Sequence, residues 1–138
     1  MKSGIGVKAF IVDNNKVLLI KRWLKDPHNP GLWDMPGGRL KEGEDPVTGL
    51  KRECMEELAV DIHVTMPIET HSFTRDDGQF ITLIVLLCCL NDKNIKLSEA
   101  HTEYQWFDLD SKTQGLEPWL IAPIDNYKKY INESALNR

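Results

Sequence analysis

The sequence predicts a single α/β (α+β) domain, in which a mixed β-sheet packs against a central helix and a C-terminal helix. Three observations lead to this fold class. Strand-like segments lie on both sides of one well-marked helix. The 138 residues suit one compact domain spanning residues 1–138. No internal repeat, low-complexity tract or linker interrupts the sequence.

The strand predictions depend on apolar runs bounded by turn residues. Residues 5–12 and 16–22 flank the turn Asp13-Asn14-Asn15. Asp76-Asp77-Gly78 is typical of a hairpin turn between two later strands. The later strands are predicted at 62–65, 68–75 and 80–90, and a short one begins at Trp106-Phe107.

The remaining segments are predicted as loops and a terminal helix. Residues 25–31 are dense in Pro, Gly, Asn and Asp, and are therefore predicted as a loop. Residues 32–38 are predicted as a short extended piece that ends in a glycine turn, and 91–103 as a polar loop. Residues 123–131 have the apolar spacing of an amphipathic helix.

The central helix has the clearest boundaries. Asp45 is a suitable N-cap, and Pro46 suits the first helical position because its missing N–H costs nothing there. An apolar stripe at helical spacing follows, formed by Val47, Leu50, Cys54 and Leu58.

Composition argues against several function classes. The net charge is −4 and the basic residues are scattered, so we expect no polymeric nucleic acid as a partner. The longest apolar run, 80–90, is shorter than a membrane span, and no signal peptide is evident, which favours no membrane partner and a cytoplasmic location. The cysteines Cys54, Cys88 and Cys89 are expected to be buried, reduced thiols.

Three carboxylates fall on one arc of the central helix. Glu56 and Glu57 lie three and four residues after Glu53, which makes the three side chains neighbours. Like charges so close repel one another, and a hard divalent cation such as Mg²⁺ would relieve the repulsion. On an isolated helix the alternative interpretation is a solvated acidic face.

The surroundings of these glutamates resemble the box of the Nudix (MutT-like) hydrolase family, which has the pattern G-x5-E-x7-R-E-U-x-E-E-x-G-U. Residues 38–60 match this pattern at Gly38, Glu44, Arg52, Glu53, Glu56 and Glu57. Cys54 departs from it at an aliphatic position, and Ala59 replaces the final glycine. Ala59 is expected either to cost about 1 kcal/mol in a left-handed conformation or to force a slightly different exit from the helix. The resemblance implies the Nudix fold, a mixed sheet sandwiched between helices.

The resemblance also implies residue roles at the metal site. It makes Glu56 and Glu57 the central Mg²⁺ ligands, with Mn²⁺ as a substitute, and Glu53 a ligand or the water-orienting base. The Gly38 carbonyl is a further oxygen ligand. Arg52 is expected to orient the carboxylate of Glu53 or Glu44.

A second group of residues is assigned to base catalysis and substrate binding. Glu53 is the first choice for the general base, followed by Glu99 and Glu103 on the polar loop. Glu99 is also a candidate metal ligand, and Glu103 a candidate substrate contact. Candidates for binding phosphate or base, each with plain surface exposure as the alternative, are Arg22, Arg39, Trp23 and His28. Trp33 is expected to pack, and His63, His71 and His101 receive no role.

The implied function is hydrolysis of a nucleoside triphosphate or oxidised deoxynucleoside triphosphate to a nucleoside monophosphate and pyrophosphate. Alternatives inside the fold are hydrolysis of a nucleotide sugar or ADP-ribose, a non-catalytic nucleotide sensor, and an isomerase-like enzyme that uses a cysteine. A chance match in an unrelated acidic protein is the remaining alternative. The expected partner is a small nucleotide-like diphosphate, bound by a monomer or homodimer.

Overall fold

A computed structural model describes residues 2–111 and 115–136 of the chain. The described residues form a mixed sheet with two α-helices. In chain order the elements are β1 (Ser3–Asp13), β2 (Lys16–Arg22), β3 (Trp33–Asp34), β4 (Gly37–Arg39), α1 (Pro46–Leu58), β5 (Ile62–Thr74), β6 (Phe80–Leu90), β7 (His101–Asp108) and α2 (Pro118–Leu136).

Strand β1 lies at the centre of the sheet. It pairs in parallel with β6 along nine residues from Ser3 to Ile11, and its C-terminal end pairs antiparallel with β2. The path through the sheet is β3-β2-β1-β6-β5, with β4 added to β1 and β7 added to β2. The sheet opens where β1 is paired with the short β4 instead of with β2, and this opening is the start of the cleft described below.

The two helices cover opposite faces of the sheet. Residues alternate between the faces of β1, so that Val7 and Ile11 pack in one core cluster with Leu50 and Leu58 of α1. Phe10 points to the other side and packs in a second cluster with residues of α2. Each fully buried Leu or Ile contributes about 1.5–3 kcal/mol, so both helices are held mainly by these faces. The predicted α/β sandwich is confirmed.

Helix α1 begins and ends as the sequence predicts. The Asp45 side chain accepts hydrogen bonds from the backbone N–H groups of Val47 and Thr48. The helix ends at Ala59, whose φ of 56° and ψ of 38° place it in the left-handed region. Val47 is a correction to the predicted apolar stripe, because its side chain is 41% exposed while Leu50, Cys54 and Leu58 are buried.

Four local predictions are corrected by the structure. Residues 62–74 form one strand with two register irregularities, because pairing with β6 continues past Pro67. Gly37 and Gly38 lie in β4 and pair with β1 instead of forming a turn. Strand β7 begins at His101, inside the predicted polar loop, and α2 begins at Pro118, with Pro123 inside it. Pairing with neighbouring strands decides the three corrections in the sheet, and these partners are distant in sequence.

The cysteines are free, and Cys54 and Cys88 are buried as predicted. Cys89 is exposed, and its prediction as a buried thiol is wrong. In the described part of the chain, neither helix is both long and apolar enough to cross a membrane.

Candidate active site

A cleft of about 940 Å³ lies beside the opening between β1 and β2. One end of this cleft is lined by Gly37, Gly38 and the glutamates of α1, and we call it the carboxylate end. The opposite end is lined by side chains of β5 and α2. The cleft therefore joins residues 37–57 to residues far away in the sequence.

Glu57 is the most enclosed carboxylate at this end. Its Oε1 accepts a hydrogen bond of 2.7 Å from the Gly37 N–H, and its Oε2 lies 3.4 Å from His101 Nε2. The side chain is only 13% exposed. Burial raises the pKa of Glu57 to about 8, although Lys8 and the Gly37 N–H act in the opposite direction. The Glu57 side chain therefore does not belong to a solvated acidic face of the helix.

Arg52 holds two carboxylates at once. Its Nε and Nη2 each donate to Glu44 at 2.8 Å, and its Nη1 donates to Glu53 Oε1 at 2.8 Å. This forked geometry is stronger and more directional than a single ion pair. Arg52 therefore orients both Glu44 and Glu53, as the sequence predicts.

Glu44 braces the loop that leads into α1. Besides the two bonds from Arg52, it accepts one of 3.0 Å from the Lys41 N–H. The hydrogen bonds from Arg52, and then the one from Lys41, lower the pKa of Glu44 to about 2. Gly49 leaves room for this brace, because a Cβ there would lie 2.9 Å from Glu44 Oε1 and would overlap Leu40.

Glu53 and Glu56 differ in how firmly they are held. The Glu53 carboxylate lies against Gly38, where an added Cβ would come within 2.6 Å of it. Glu56 is 58% exposed and has only a longer contact of 3.5 Å to Arg52 Nη1. Glu53 is thus fixed in the cleft wall, whereas Glu56 is free to turn toward a ligand.

The residues at the carboxylate end fit a hard divalent cation by their chemistry. They offer carboxylate oxygens and the Gly38 carbonyl, with no thiolate among them, which is the donor set preferred by Mg²⁺. Gly38 has no side chain, and the space that its Cβ would fill is occupied by the Glu53 carboxylate. Within residues 2–111 and 115–136, no three His, Cys, Asp or Glu side chains already converge on one point. Binding a cation thus requires the carboxylates to rotate, and Glu56 has the freedom to do so.

The floor of the cleft contains a buried ion network. Asp34 Oδ2 accepts hydrogen bonds from Lys8 Nζ at 3.0 Å and from Arg22 Nε at 2.8 Å. Arg22 Nη2 lies 2.6 Å from the same oxygen. Arg22 Nη1 also binds Asp26 Oδ2 at 2.7 Å. Asp34 and Lys8 are 3% and 5% exposed, and Asp34 Oδ1 has no hydrogen-bond partner in the described residues.

Arg22 and Asp26 also shape the loop over the cleft. Asp26 Oδ1 accepts from the N–H groups of His28 and Asn29, which closes a tight turn in this loop. Arg22 was predicted to bind substrate. It lines the cleft, but its guanidinium is committed to Asp26 and Asp34.

Arg39 and His28 were candidates for binding phosphate or base, and such contact stays a prediction. Both line the cleft. Arg39 lies over Gly4, where an added Cβ would overlap its guanidinium, and donates to Gln79 at 3.2 Å. His28 Nδ1 lies 2.7 Å from Asp76 Oδ1, so the loop of His28 meets the β5–β6 hairpin across the mouth of the cleft.

Three predicted residues lie elsewhere. Trp23 is 38% exposed and is not part of the cleft lining, because the chain turns outward after β2. Glu103 is in β7 opposite Lys21, with its side chain 56% exposed. Glu99 is exposed at a turn between Ser98 and His101, whereas those two neighbours line the cleft. A ligand role for Glu99 stays a prediction.

Several residues that line the cleft were not predicted from the sequence: Lys8, Asp34, His101, His71, Phe73 and Trp119. His101 reaches Glu57 because the backbone of Lys96 and Ser98 is hydrogen-bonded to the last carbonyls of α1, at Leu58 and Glu57. Its Nδ1 lies 3.3 Å from Ser98 Oγ. A lysine amid the apolar run of β1 was a usable signal for Lys8, but the others depend on tertiary contacts.

A family model described as NUDIX domain matches residues 2–126. An 8-oxo-dGTP diphosphatase of Proteus vulgaris is 37% identical over 62 residues, which is 44% of this chain and 54% of that protein. Nudix hydrolase 2 of Arabidopsis thaliana is 28% identical over 107 residues, 73% of this chain and 36% of that protein. The chain thus spans about half of the first relative and about a third of the second.

Solved structures of MutT proteins resemble this chain over a larger share of its length than these two relatives do. A MutT protein from Methanosarcina mazei Go1 has a TM-score of 0.81 and 25% identity, with 96% of each chain covered. A MutT NUDIX hydrolase from Burkholderia pseudomallei has a TM-score of 0.80 and 25% identity, covering 91% of this chain and 98% of that one. The likeness extends over nearly all of the sheet and both helices.

Proposed function

The chain belongs to the NUDIX domain family, and from this premise we propose that it is a hydrolase that cuts a nucleoside triphosphate, or an oxidised deoxynucleoside triphosphate, into a nucleoside monophosphate and pyrophosphate. The observation that carries the proposal is the carboxylate end, where Glu53, Glu56 and Glu57 line one cleft. The name of the 8-oxo-dGTP diphosphatase relative supports this choice of substrate class.

We assign the proposed metal to Glu56, Glu57 and the Gly38 carbonyl. When bound, Mg²⁺ neutralises phosphate oxygens and makes a water molecule easier to deprotonate. Glu57 is kept in place by the Gly37 N–H, so one ligand is oriented in advance. Arg39 lines the cleft beside this end and supplies positive charge toward the phosphates.

Glu53 is the proposed general base. Arg52 Nη1 binds its Oε1 at 2.8 Å, which fixes the carboxylate while leaving Oε2 to take a proton. The water oxygen forms a bond to phosphorus as the opposite phosphorus–oxygen bond breaks, and the bridging oxygen leaves with the departing phosphate group. The proton from water passes to Glu53. Glu99 and Glu103 rank behind it, because neither lines the cleft.

The cysteine-dependent alternative loses support from the thiols. Burial raises the pKa of Cys88 to about 12, and the pKa of Cys54 is raised even further. Buried thiols of this kind are poor nucleophiles and proton donors at neutral pH. The exposed Cys89 is not part of the cleft lining.

A nucleotide panel tests the proposal. The four dNTPs, 8-oxo-dGTP, ADP-ribose and a UDP-sugar would be incubated with Mg²⁺ or with excess chelator, and both products of each turnover identified. We expect a triphosphate to yield monophosphate and pyrophosphate with Mg²⁺ alone. Full activity in chelator would exclude the metal mechanism. Preferred cleavage of ADP-ribose or the UDP-sugar would show that the substrate is one of these diphosphates and not a nucleoside triphosphate.

A matched pair of variants tests the site. Glu57→Gln keeps an acceptor for the Gly37 N–H but removes the carboxylate that would bind the metal, so turnover should fall by about two orders of magnitude or more. Glu42→Gln, in the exposed loop of the same box, should leave kcat within about twofold. Near-normal turnover in Glu57→Gln would show that the site is misplaced.

A further inference from the structure

The imidazole of His101 is buried in the cleft wall beside Glu57, and the chemistry proposed above gives it no part. Its Nε2 lies 3.4 Å from Glu57 Oε2, and the side chains of His101 and Glu57 are only 6% and 13% exposed. Its other ring nitrogen, Nδ1, lies 3.3 Å from Ser98 Oγ. These three side chains form a row that ends at a proposed metal ligand, and we call them the Ser98–His101–Glu57 triplet.

The end of helix α1 explains how the segment before His101 reaches Glu57. The last carbonyl groups of a helix have no partner inside the helix. Here the Leu58 carbonyl accepts a hydrogen bond of 2.8 Å from the Lys96 N–H, and the Glu57 carbonyl accepts one of 2.9 Å from the Ser98 N–H. Ser98 is therefore bonded to the backbone of the same residue whose carboxylate faces His101.

Backbone contacts on two further sides fix the position of His101. Its N–H donates to the Ser98 carbonyl at 3.2 Å, which closes a turn. It is also the first residue of β7, where it pairs with Arg22 of β2. Beside this pair, the Trp23 N–H donates to the Ala100 carbonyl at 3.0 Å. The imidazole is therefore held against Glu57 by α1, by its own turn and by β2.

Both oxygens of the Glu57 carboxylate face a group that can donate a hydrogen bond. Oε1 accepts from the Gly37 N–H at 2.7 Å, and Oε2 faces His101. Each carboxylate oxygen has two lone pairs, so each oxygen keeps one for a cation. A carboxylate bound to a cation carries no proton, so the nitrogen that faces it has to be the protonated one. The Ser98 hydroxyl can donate to Nδ1, which leaves the proton of a neutral imidazole on Nε2.

We propose that His101 is a positioning residue, which donates from Nε2 to Glu57 Oε2 and so fixes this carboxylate for the divalent cation, while Ser98 selects the required tautomer. His101 then acts on Glu57 as Arg52 acts on Glu53. This inference rests on the proposed function, because Glu57 is a ligand only if the carboxylate end binds a metal ion. Removing a group that orients a metal ligand typically costs about 10-fold to 100-fold in metal affinity.

Binding of Mn²⁺ alone, measured by electron paramagnetic resonance without any nucleotide, tests the proposal. His101→Phe keeps a ring of similar size but has no N–H, so the Kd for Mn²⁺ should rise about 10-fold to 100-fold. His101→Gln places an amide N–H near the position of Nε2 and should recover most of this loss. Ser98→Ala should cause a smaller loss in the same direction. The control is His63→Gln, at an exposed histidine of β5, which should bind Mn²⁺ within about twofold of wild type.

Two further measurements separate positioning from simple packing. In His101→Phe, the Mg²⁺ concentration for half-maximal turnover should rise by the same factor as the Kd, while kcat at saturating Mg²⁺ changes little. In the Mg²⁺-bound wild-type protein at about pH 8, ¹⁵N NMR of the imidazole nitrogens should place the His101 proton on Nε2. Thermal melts of each variant would verify folding.

The outcomes distinguish this proposal from the proposed function. If the wild-type protein binds Mn²⁺ with the predicted variant effects but hydrolyses no nucleotide, the hydrolase proposal fails and the role of His101 stands. An unchanged Mn²⁺ affinity in His101→Phe, a loss that His101→Gln does not recover, or a proton on Nδ1 would overturn the role of His101 alone. Failure of the wild-type protein to bind Mn²⁺ would overturn both proposals.

Discussion

Arg52 and Arg22 carry the same chemistry in different surroundings. Each guanidinium binds two carboxylates, Glu44 and Glu53 for Arg52, and Asp34 and Asp26 for Arg22. The Arg52 group lies at the rim of the cleft and is partly exposed. The Arg22 group continues into the floor, where Lys8 pairs with Asp34 and both side chains are almost fully buried.

The comparison shows that similar ion pairs have different costs when broken. Water screens the Arg52 group, so its pairs add modestly to stability and act mainly by orienting Glu53. Lys8 and Asp34 of the floor network are almost fully buried, so losing one partner leaves a buried charge without its counterion. Mutations in the two groups should therefore separate stability from activity.

The largest expected loss of stability comes from removing one charge of the ion network in the cleft floor. Asp34→Ala removes the carboxylate that Lys8 and Arg22 share, and should lower the free energy of unfolding by about 3–5 kcal/mol. Urea unfolding would measure this, with the exposed Asp125→Ala on α2 as control, expected within about 0.5 kcal/mol of wild type. A loss below about 1 kcal/mol for Asp34→Ala would mean that the floor is hydrated.

Arg52→Lys sharpens the same comparison at the rim. A lysine cannot bind Glu44 with two donors while also holding Glu53, so kcat should fall about 10-fold to 100-fold. The melting temperature should fall much less than in Asp34→Ala. Steady-state kinetics and thermal melts would be run beside Lys51→Arg, an exposed neighbour expected to behave as wild type. An unchanged kcat would leave Arg52 with a structural role only.

Acid should weaken the rim in a defined pH window. The hydrogen bonds from Arg52 and Lys41 lower the pKa of Glu44 from an ordinary 4.5 to about 2. Because the folded pKa is the lower one, the stabilisation is complete above pH 4.5 and is lost as pH falls toward 2. Urea unfolding at pH 6, 4.5 and 3 should therefore show a shallower decline for Glu44→Gln than for wild type. Parallel declines would contradict this assignment.

The smallest expected effect is at the end of α1. Ala59 has a φ of 56°, where a Cβ is strained, so Ala59→Gly should raise stability by up to about 1 kcal/mol. The greater freedom of glycine in the unfolded chain offsets part of that gain. Denaturant melts would measure the difference, and activity should be unchanged. A less stable glycine variant would show that this exit from the helix is not strained.

Sequence predicted the carboxylate end well because its parts are local. The spacing within residues 38–60 sets Glu53, Glu56, Glu57 and Arg52 on one helix and its lead-in loop. Helical periodicity and capping rules act over these same short distances. The left-handed conformation at Ala59 was one of the two helix exits expected from the sequence.

The other end of the cleft was not predictable in this way. His71 and Trp119 are brought together by the β5–β6 register and by the packing of α2 on the second core cluster. Nothing within a few residues of either one signals the other. Trp23 and His28 were chosen because they are near the breaker-rich loop, and only His28 lines the cleft. The sequence predicts too short a strand β7, because the first residues of this strand are polar. Their pairing with β2 outweighs that polar sequence and extends the strand back to His101.

Hydrolysis in isotopically labelled water tests the central claim most directly. The purified protein would be incubated with Mg²⁺ and its best nucleoside triphosphate in ¹⁸O water, and both products analysed by mass spectrometry. We predict one labelled oxygen in either the nucleoside monophosphate or the pyrophosphate, with formation of both products dependent on Mg²⁺. Label confined to inorganic orthophosphate, with a nucleoside diphosphate as the other product, would identify a terminal phosphatase and contradict this account.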